Sequence, residues 1–277
     1  MQNVMRPFAP VLLSAVLVSF AAHAQDDAGE LDQWYRDLAG TGDSDRPAAR
    51  ASSNWRGLVG AGVVVAQRAH GDTRAAPFPL ASISYKDIAY WRMTGGGVWL
   101  LTSDDRRARV GIAGKFRRGY DPDDADGLAG MTPRDPSFEA GVNAVWATRP
   151  LILSAAYYAD VSGRSDGESA LVRVAHAFRV SPRLRVVPSI GAEWLDADVV
   201  DYYYGVHPDE ATATRPAYTG KAATNLRAGV ATHFALTRAW SLFGGVSYTR
   251  LGAGIADSPI VVNDDVTALH VGGGWRF

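Results

Sequence analysis

The chain has 277 residues, a formal net charge of −1 and an apolar fraction of 47%, and it contains no cysteine. The absence of cysteine excludes disulfides, thiolate metal sites and a lipoprotein anchor, and the balanced charge gives no indication of nucleic-acid binding. Glycine (29 residues), tryptophan (8) and tyrosine (11) are abundant. Such a composition is typical of membrane β-barrels, whose aromatic rings lie at the two bilayer interfaces.

The first 24 residues have the pattern of a secretory signal peptide. Arg6 precedes an apolar run from Val11 to Ala22, and Ala22-His23-Ala24 is a small-x-small cleavage pattern. The apolar run is shorter than the roughly 20 residues that a membrane-spanning helix needs, and no later stretch approaches that length. We therefore expect residues 1–24 to be a signal peptide, cleaved after Ala24, and the mature chain to be exported.

Residues 25–53 differ in character from the rest of the chain. Polar, turn-rich stretches at 25–27 and 41–50 predict disorder. Between them, one helical face is predicted by the spacing of Leu31, Trp34, Tyr35 and Leu38. This segment is either a small periplasmic tail or a plug of a barrel lumen, and its sequence fits both.

From Trp55 onward, apolar and polar residues alternate with period two, which predicts β-strands. In the last strand, Leu269, Val271, Trp275 and the final Phe277 share one face, while small and polar residues occupy the other. These four residues resemble the C-terminal signal that the barrel-assembly machinery reads in Gram-negative outer-membrane barrels. A soluble β-sandwich would bury the same apolar faces, so alternation alone does not separate the two architectures.

The lengths of the connections separate them. The short connections are 148–150, 180–182 and 236–238, and the long ones, rich in Gly, Pro, Asp and Tyr, are 68–78, 119–135, 197–219 and 252–264. Short turns alternating with long loops are typical of outer-membrane barrels, with the short turns on the periplasmic side. We therefore predict an all-β fold, a transmembrane antiparallel β-barrel over residues 54–277 in the outer membrane, in contact with lipid.

The number of strands depends on residues 55–103. Eight strands are clear at 107–119, 136–148, 150–161, 168–179, 183–196, 221–236, 239–251 and 265–277. Upstream, Trp55–Gln67 and Gly97–Ser103 are predicted strands, and Leu80–Arg92 is either one strand or a hairpin that turns at Lys86-Asp87. An even number of strands with both ends periplasmic requires the hairpin, which gives twelve strands; ten is the alternative.

The predicted inward faces carry more basic than acidic residues. The basic residues are Arg109, Lys115, Arg117, Arg173, Arg185 and Arg227, and the acidic ones are Glu139, Asp160 and Glu193. A basic lumen attracts anionic solutes, so one interpretation is selective permeation. The other is that these charges pair across strands and fill a barrel intermediate between the side-chain-filled eight-strand size and the open porins.

The histidines do not indicate an active site. Predicted strands contain His176, His233 and His270, and predicted loops contain His70 and His207. None has the His-x-Ser spacing of barrel lipases, and nucleophilic catalysis needs a base within hydrogen-bond reach of the nucleophile. Asp209-Glu210, beside His207, are expected to be solvent-facing loop charges. We therefore expect no enzymatic activity, no metal and no cofactor.

Short motifs in the long loops and the last strand, taken in order, resemble the MipA/OmpV family of outer-membrane proteins. They are Leu128-Ala129-Gly130-Met131; Tyr203-Tyr204-Gly205-Val206, followed by Arg215, Tyr218 and Gly220; Ser258-Pro259-Ile260-Val261; and the final Trp275-Arg276-Phe277. We interpret the loop motifs as structural elements, not as catalytic residues. The tyrosines are expected in an ordered loop, where Gly205 permits a turn that they cannot make.

The resemblance implies a non-enzymatic barrel whose best-known relative bridges a lytic transglycosylase and a bifunctional penicillin-binding synthase of the cell wall. Other members are linked to osmotic response, adhesion and antibiotic passage. The implied function is thus a scaffold for peptidoglycan-remodelling enzymes, a murein hydrolase and a peptidoglycan synthase, docked through periplasmic turns and residues 25–53. A narrow anion-preferring channel, or a solute-binding or adhesion barrel, is the alternative, since a fold alone does not carry a function.

Overall fold

The structure is a computed structural model that describes residues 54–93, 95–148 and 150–277, and these residues form a closed antiparallel barrel. The strands are β1 (Trp55–Arg68), β2 (Gly71–Tyr85), β3 (Ala89–Arg92), β4 (Gly95–Thr102), β5 (Ala108–Arg117), β6 (Ser137–Ala147), β7 (Leu151–Asp160), β8 (Glu168–His176, continued by Phe178–Arg179), β9 (Leu184–Leu195), β10 (Ala223–Ala235), β11 (Trp240–Arg250) and β12 (Asp265–Arg276). The predicted signal peptide, its cleavage after Ala24 and the 25–53 segment lie outside the described residues.

Each strand pairs with the next, and β12 pairs with β1, so that Val63 lies opposite Val271 and the sheet closes on itself. Both pieces of β8 pair with β9, which makes them one strand of the wall. The prediction of twelve antiparallel strands is confirmed. Closure leaves no free lateral edge around the lower wall and satisfies the backbone groups within the sheet, as a lipid environment requires.

The outward faces of the strands are apolar and the inward faces are small or polar. On β12, Val271 is 64% exposed whereas His270 is 6% exposed, because successive side chains point to opposite faces. Exposed aromatic rings form two bands on the outer surface, one at each end of the strands. One band contains Trp55, Trp146, Trp240, Trp275 and Phe277, and the other contains Phe116, Phe138, Tyr157, Trp194 and Tyr248.

The two ends of the barrel have different connections. We call the end with residues 86–88, 103–107, 148–150, 180–183 and 236–239 the turn end, and the opposite end the loop end. The loop end carries 118–136, 161–167, 196–222 and 251–264, with two short helices, α1 (Ala197–Tyr204) and α2 (Ala253–Ala256). In the described part of the chain, no helix combines the length and apolar character needed to cross a bilayer.

The region of uncertain strand number contains the predicted hairpin. Lys86 and Asp87 have φ angles of 52° and 58°, and Ile88 N donates to Tyr85 O at 3.0 Å. Positive φ at two central residues is the geometry of a primed turn, whose twist matches that of the flanking strands. The hairpin at Lys86-Asp87 is therefore confirmed, and it accounts for the twelfth strand.

The long link predicted at 68–78 is wrong, because β2 begins at Gly71 and only Ala69 and His70 connect it to β1. The resulting hairpin reaches past the wall into the loop end. There, Val262 N donates to Ala69 O at 2.8 Å, and the His70 ring lies 3.1 Å from Ile260 O through Nδ1. Composition alone predicts a loop at 68–78. Contacts with distant loops instead stabilise this part of the chain as a β-hairpin.

Two prolines in β2 caused this error, and the register explains why the strand accommodates them. The ladder between β2 and the short β3 covers Ser82–Tyr85, and Met93 N donates to Ala81 O just beyond it. Odd-numbered residues of β2 thus point their backbone groups toward β3. Pro77 and Pro79 are also odd-numbered, so the sides that lack an N–H group face the same way. At these two positions β2 extends beyond the end of the short β3 and has no ladder partner on that side. Proline is tolerated at such an edge because it has no ladder hydrogen bond to lose.

Part of the inner wall is apolar, a feature that the sequence pattern did not reveal. Inward side chains of β1, β2, β7, β8, β9, β10, β11 and β12 form one buried cluster, the apolar layer. It contains Val64, Ala66, Phe78, Leu80, Ile152, Ala175, Val187, Ala231, Phe243 and Ala268. The Phe78 and Phe243 rings, from strands β2 and β11, lie 6.5 Å apart.

Candidate functional site: lumen charges, loop cap and turn-end mouth

Five of the predicted lumen charges form one network in the upper lumen. Lys115 and Glu139 are direct cross-strand partners on β5 and β6, with Nζ and Oε2 3.0 Å apart. Arg117 donates to the same carboxylate, and on the other side of the barrel Arg227 donates to Glu193. We call these five residues the lumen charge network.

One ion pair joins the two sides of this network. Arg117 Nη2 of β5 lies 3.9 Å from Glu193 Oε1 of β9, although three strands separate β5 from β9 in the wall. The Glu139 side chain, 2% exposed, also accepts a hydrogen bond from Ser169 Oγ at 3.0 Å. Buried carboxylates are tolerated only when paired and hydrogen-bonded, as they are here. The lumen is narrow enough at this level for side chains to span it.

The other predicted lumen charges lie elsewhere. Arg173 is buried on the inner face of β8, and Arg109 and Arg185 lie near the turn end. Asp160 instead accepts hydrogen bonds from loop amides, including Ser162 N at 2.8 Å and Ser165 N at 2.7 Å. Asp160 thus organises the β7–β8 loop.

We call four inward-pointing arginines near the turn end the basic mouth: Arg109, Arg179, Arg185 and Arg276; Arg56, at the start of β1, instead pairs with Asp87. Arg179 and Arg185 are directly opposite each other on β8 and β9, so their side chains share one face. Arg276 Nη2 lies 2.9 Å from His233 Nε2 and 3.4 Å from Ser241 Oγ, both on the inner wall. Sequence analysis identified Arg109 and Arg185 but not Arg179 and Arg276, although the alternation of their strands was visible.

At the loop end, the three longest loops pack into one body, the loop cap (118–136, 196–222 and 251–264). Four family-motif residues, Leu128, Met131, Val206 and Ile260, form a buried cluster, against which Tyr218 packs. A second cluster beneath it contains Tyr203 with side chains of α1 and α2, and Tyr204 and Val261 pack against it. The motifs that lie far apart in sequence therefore meet in one place.

Polar side chains of the same motifs tie the loops together. Arg215 donates through Nη1 to Gly127 O (2.8 Å) and Ala129 O (3.0 Å), and through Nη2 to Glu210 O (2.9 Å). Tyr218 donates its hydroxyl to Gly254 O at 2.9 Å. Hydrogen bonds between a buried guanidinium and carbonyl oxygens fix loop backbone that has no ladder partner. Arg215 and Tyr218 therefore have structural positions in the cap.

A buried ion pair in the cap contradicts the prediction that Glu210 is solvent-facing. Glu210 is 5% exposed, and its two carboxylate oxygens accept from Arg134 Nη1 and Nη2 at 2.9 and 2.8 Å. Burial alone would raise the pKa of Glu210, but hydrogen bonds from Arg134 and from the His207 and Thr132 amides outweigh it and lower the pKa to about 2. Arg134 lies outside the motifs, so no sequence signal linked it to Glu210.

The prediction of a loop at the tyrosines is corrected, because Tyr203 and Tyr204 end helix α1. The Asp196 side chain caps this helix by accepting from Val199 N at 2.9 Å. Helical spacing buries Val199, Val200 and Tyr203 on one face. This pattern competes with the turn-rich composition around it, and tertiary packing favours the helix.

The role predicted for Gly205 is also wrong. Its φ of −70° is open to any residue, but an added Cβ would lie 2.3 Å from Asp201 O. Gly220 is equally crowded, with its added Cβ 2.2 Å from Asp201 N, and its own N–H donates to Asp201 Oδ1 at 2.6 Å. Of the three motif glycines 130, 205 and 220, Gly130 is the one at positive φ, 76°, where the backbone conformation favours glycine. Close packing, not turn geometry, thus requires glycine at 205 and 220.

The third motif closes the cap from the last loop. Ser258 Oγ donates to Tyr204 O at the end of α1, and Val261 N donates to Ser258 O at 3.0 Å across Pro259. At the other end of β12, Leu269, Val271, Trp275 and Phe277 all face outward, and the Trp275 and Phe277 rings stack at 5.3 Å. Recognition of these four residues by the barrel-assembly machinery stays a prediction.

Residues 54–93, 95–148 and 150–277 contain no group of three or more His, Asp or Glu side chains that could hold a metal ion. His70 is flanked by the rings of Tyr120 and Tyr204, each 5.3 Å away. His70 therefore packs against residues of the loop cap.

Comparisons with known proteins identify a family and several outer-membrane relatives. The sequence profile of the family described as MltA-interacting protein MipA matches residues 59–277. Outer membrane protein OmpV of Vibrio cholerae is 31% identical over 142 residues, 51% of this chain and 55% of OmpV. Outer membrane protein Omp26La of Vibrio anguillarum is 30% identical over the same shares. The chain thus spans about half the length of these two relatives.

A longer match is to MltA-interacting protein of Escherichia coli K12, 25% identical over 225 residues, which are 79% of this chain and 89% of that protein. Among solved structures, the NanC porin aligns with a TM-score of 0.43 and 13% identity, over 79% of this chain and 100% of that one.

Proposed function

The chain belongs to the MipA family of outer-membrane barrels, and from this membership we propose that it docks a peptidoglycan-remodelling enzyme at the periplasmic ends of its strands. The partner class is a murein hydrolase, alone or with a peptidoglycan synthase. The turn end faces the periplasm, as short turns do in outer-membrane barrels.

The observation that carries the proposal is the ion pair between Arg117 and Glu193 across the upper lumen. Charges that neutralise one another across the interior are not available to select solutes, and they occupy the path that a solute would take. Above them, the loop cap is held by buried apolar clusters and by the Arg134–Glu210 pair. This arrangement favours a structural lumen and leaves the turn end as the accessible polar surface.

The turn end offers a surface of defined charge. Arg183 and Arg238 are exposed in the β8–β9 and β10–β11 turns. In the 86–88 and 103–107 turns, basic and acidic groups approach each other, with Arg106 3.8 Å from Asp87 and Arg107 3.5 Å from Asp105. The Arg183 and Arg238 turns therefore give one side of the periplasmic rim a net positive charge, which fits an acidic patch on the partner enzyme.

Binding of a purified lytic transglycosylase to the refolded, immobilised barrel tests the proposal. We expect Arg183→Glu with Arg238→Glu to weaken binding, because rim charges guide association. The matched control is Arg164→Glu with Lys221→Glu, the same charge change in exposed loop-end residues, which should leave binding intact. Equal loss in both variants, or no binding by the unaltered barrel, would refute periplasmic docking by this rim.

The four arginines of the basic mouth favour a second candidate, a narrow anion-preferring channel. Conductance in planar bilayers separates the two functions. Steady anion-preferring current that reverses in Arg109→Glu with Arg185→Glu would assign permeation. A folded but silent barrel supports docking.

A further inference from the structure

We propose that the outer wall of the barrel holds one acyl chain of a membrane phospholipid in an apolar groove that crosses strands β5 to β10. The groove has a volume of about 800 Å³, within the roughly 300–1,000 Å³ of pockets that hold small ligands. It lies on the lipid-facing side of the wall, outside the lumen and away from the turn-end rim. The proposal is therefore independent of enzyme docking and of permeation.

Small side chains form the floor of the groove. Ala144 on β6 is the cross-strand partner of Ala155 on β7, and Ala192 on β9 lies in the same row. The row begins at Val110 on β5 and ends at Leu226 on β10. Neighbouring strands lie about 4.8 Å apart, so a row that crosses six strands is roughly 24 Å long.

Larger side chains form a ridge on each side of this floor. All of them point outward and are exposed, because they lie two residues along the strand from the floor positions or their neighbours in the row. The turn-end ridge contains Trp146, Leu153, Val174 and Ile190, and the loop-end ridge contains Ile112, Val142, Tyr157 and Trp194. A thin chain that lies on the alanines therefore contacts protein on three sides.

This shape selects a thin apolar occupant. Inside a membrane, apolar groups associate through van der Waals packing, because lipid tails are as apolar as the wall itself. A chain enclosed on three sides gains more of these contacts than a chain on a flat part of the wall. The outer surface of a second barrel is convex, so it would rest on the ridges and leave the floor uncovered. An acyl chain fills the groove, whereas a second copy of the protein does not.

The position of the groove indicates which leaflet supplies the lipid. The two alanines that are direct partners, Ala144 and Ala155, lie beside Trp146, which belongs to the aromatic band at the turn end. Tryptophan rings prefer the level of the lipid head groups. At the loop ends of the same strands, the exposed carboxylates of Glu168 and Asp198 disfavour a phosphate group, because like charges repel. The occupant is therefore a phospholipid of the leaflet on the turn-end side.

Lipid retention tests the site. The refolded barrel is mixed with phosphatidylethanolamine in detergent micelles, and native mass spectrometry counts the lipids that remain bound. We expect one lipid on the unaltered barrel and a severalfold lower occupancy in Ala155→Trp, whose ring would fill the groove. The matched control is Ala61→Trp, which adds the same ring to an exposed position of β1, six strands away on the opposite side of the barrel. The control should retain the lipid.

Three results of this experiment would overturn the proposal. They are no retained lipid on the unaltered barrel, equal retention by the two tryptophan variants, and equal loss from both. A dimer of the unaltered barrel that excludes the lipid would also overturn it, because a second copy would then be the occupant. Gel migration before and after heating shows whether each variant is folded.

Photocrosslinking of the unaltered barrel locates the chain without any substitution. Phosphatidylethanolamine with a diazirine on its acyl chain is incorporated into vesicles with the barrel, and the labelled peptides are identified by mass spectrometry. We expect severalfold more adducts on β6 and β7 than on β1 and β12, which face lipid but do not line the groove. Even labelling around the wall would contradict a bound chain. Stronger labelling of the groove by lipid A that carries the same group would overturn the assignment to a phospholipid.

Discussion

In the loop cap, Arg134 and Arg215 are buried and bonded, whereas Arg183 and Arg238 in the tight turns of the turn end are exposed. Arg134 and Arg215 are 6% and 8% exposed, and both bind oxygens within the cap. Arg183 and Arg238 lie on the surface of tight turns. A buried charge that loses its partner is costly, whereas an exposed ion contributes little to stability. The same residue type therefore fixes structure at one end and remains available for binding at the other.

The largest expected effect is in the lumen charge network. Glu139→Gln leaves Lys115 and Arg117 without their shared counter-charge, so we expect the free energy of unfolding to fall by about 3–5 kcal/mol. Urea unfolding of the refolded barrel in lipid vesicles measures it. Arg238→Gln at the turn end is the control and should change stability by less than about 0.5 kcal/mol. Similar losses in the two variants would contradict the contrast between the ends.

Removing the Arg134–Glu210 ion pair should cost nearly as much stability, but the loss should be confined to the loop cap. Arg134→Met leaves the Glu210 carboxylate buried without its cation, at a cost of about 3 kcal/mol to cap closure. Hydrogen exchange of the 196–222 amides should speed up, while exchange in β5 to β8 should not. Faster exchange throughout the wall would mean that the cap and barrel unfold as one unit.

The cap should also be sensitive to acid. The pKa of Glu210 is lowered from 4.5 to about 2 in the folded cap, so its contribution is fully present above about pH 4.5 and is lost as the pH falls toward 2. The maximum loss is on the order of 3 kcal/mol. Exchange of the cap amides, corrected for the intrinsic pH dependence of exchange, should rise over this interval. The same rise in Arg134→Met would show that another group is responsible.

Crowding at Gly205 should have an intermediate effect. Gly205→Ala places a Cβ 2.3 Å from Asp201 O, so we expect a loss of about 1–3 kcal/mol in cap stability. Gly127→Ala is the matched control in the same cap, because its Cβ would meet no heavy atom within 4 Å. Thermal melts of the two variants, monitored by proteolysis of the cap loops, compare their cap stabilities. Equal melts would remove packing as the reason for glycine at 205.

The smallest effect on stability is expected in the basic mouth. Arg109→Gln with Arg185→Gln should change the free energy of unfolding by roughly 0.5 kcal/mol or less, since neither residue belongs to the lumen charge network. Urea unfolding of the refolded barrel in lipid vesicles measures the change. A large loss of stability would instead show that these two arginines stabilise the fold, as Arg134 does in the cap.

Much of the wall follows from sequence, and the failures have particular causes. Alternation placed Val271 outward and His270 inward, and Lys86-Asp87 signalled its hairpin, because both are local properties of the chain. Pro77 and Pro79 disguised β2, since whether a proline disrupts a strand depends on the edge that it faces. Glu210 was misjudged because its partner Arg134 lies 76 residues away in the chain.

The sequence by itself determined which residues face lipid and which face the lumen, because a strand's period of two is set by backbone geometry within a few residues. It also placed the family motifs in the long loops. Only the tertiary structure decided that Arg117 meets Glu193 across the interior and that Leu128, Val206 and Ile260 share one cluster. Such contacts depend on closure of twelve strands and on the folding of loops over the opening. They join residues whose separation in sequence contains no record of their distance in space.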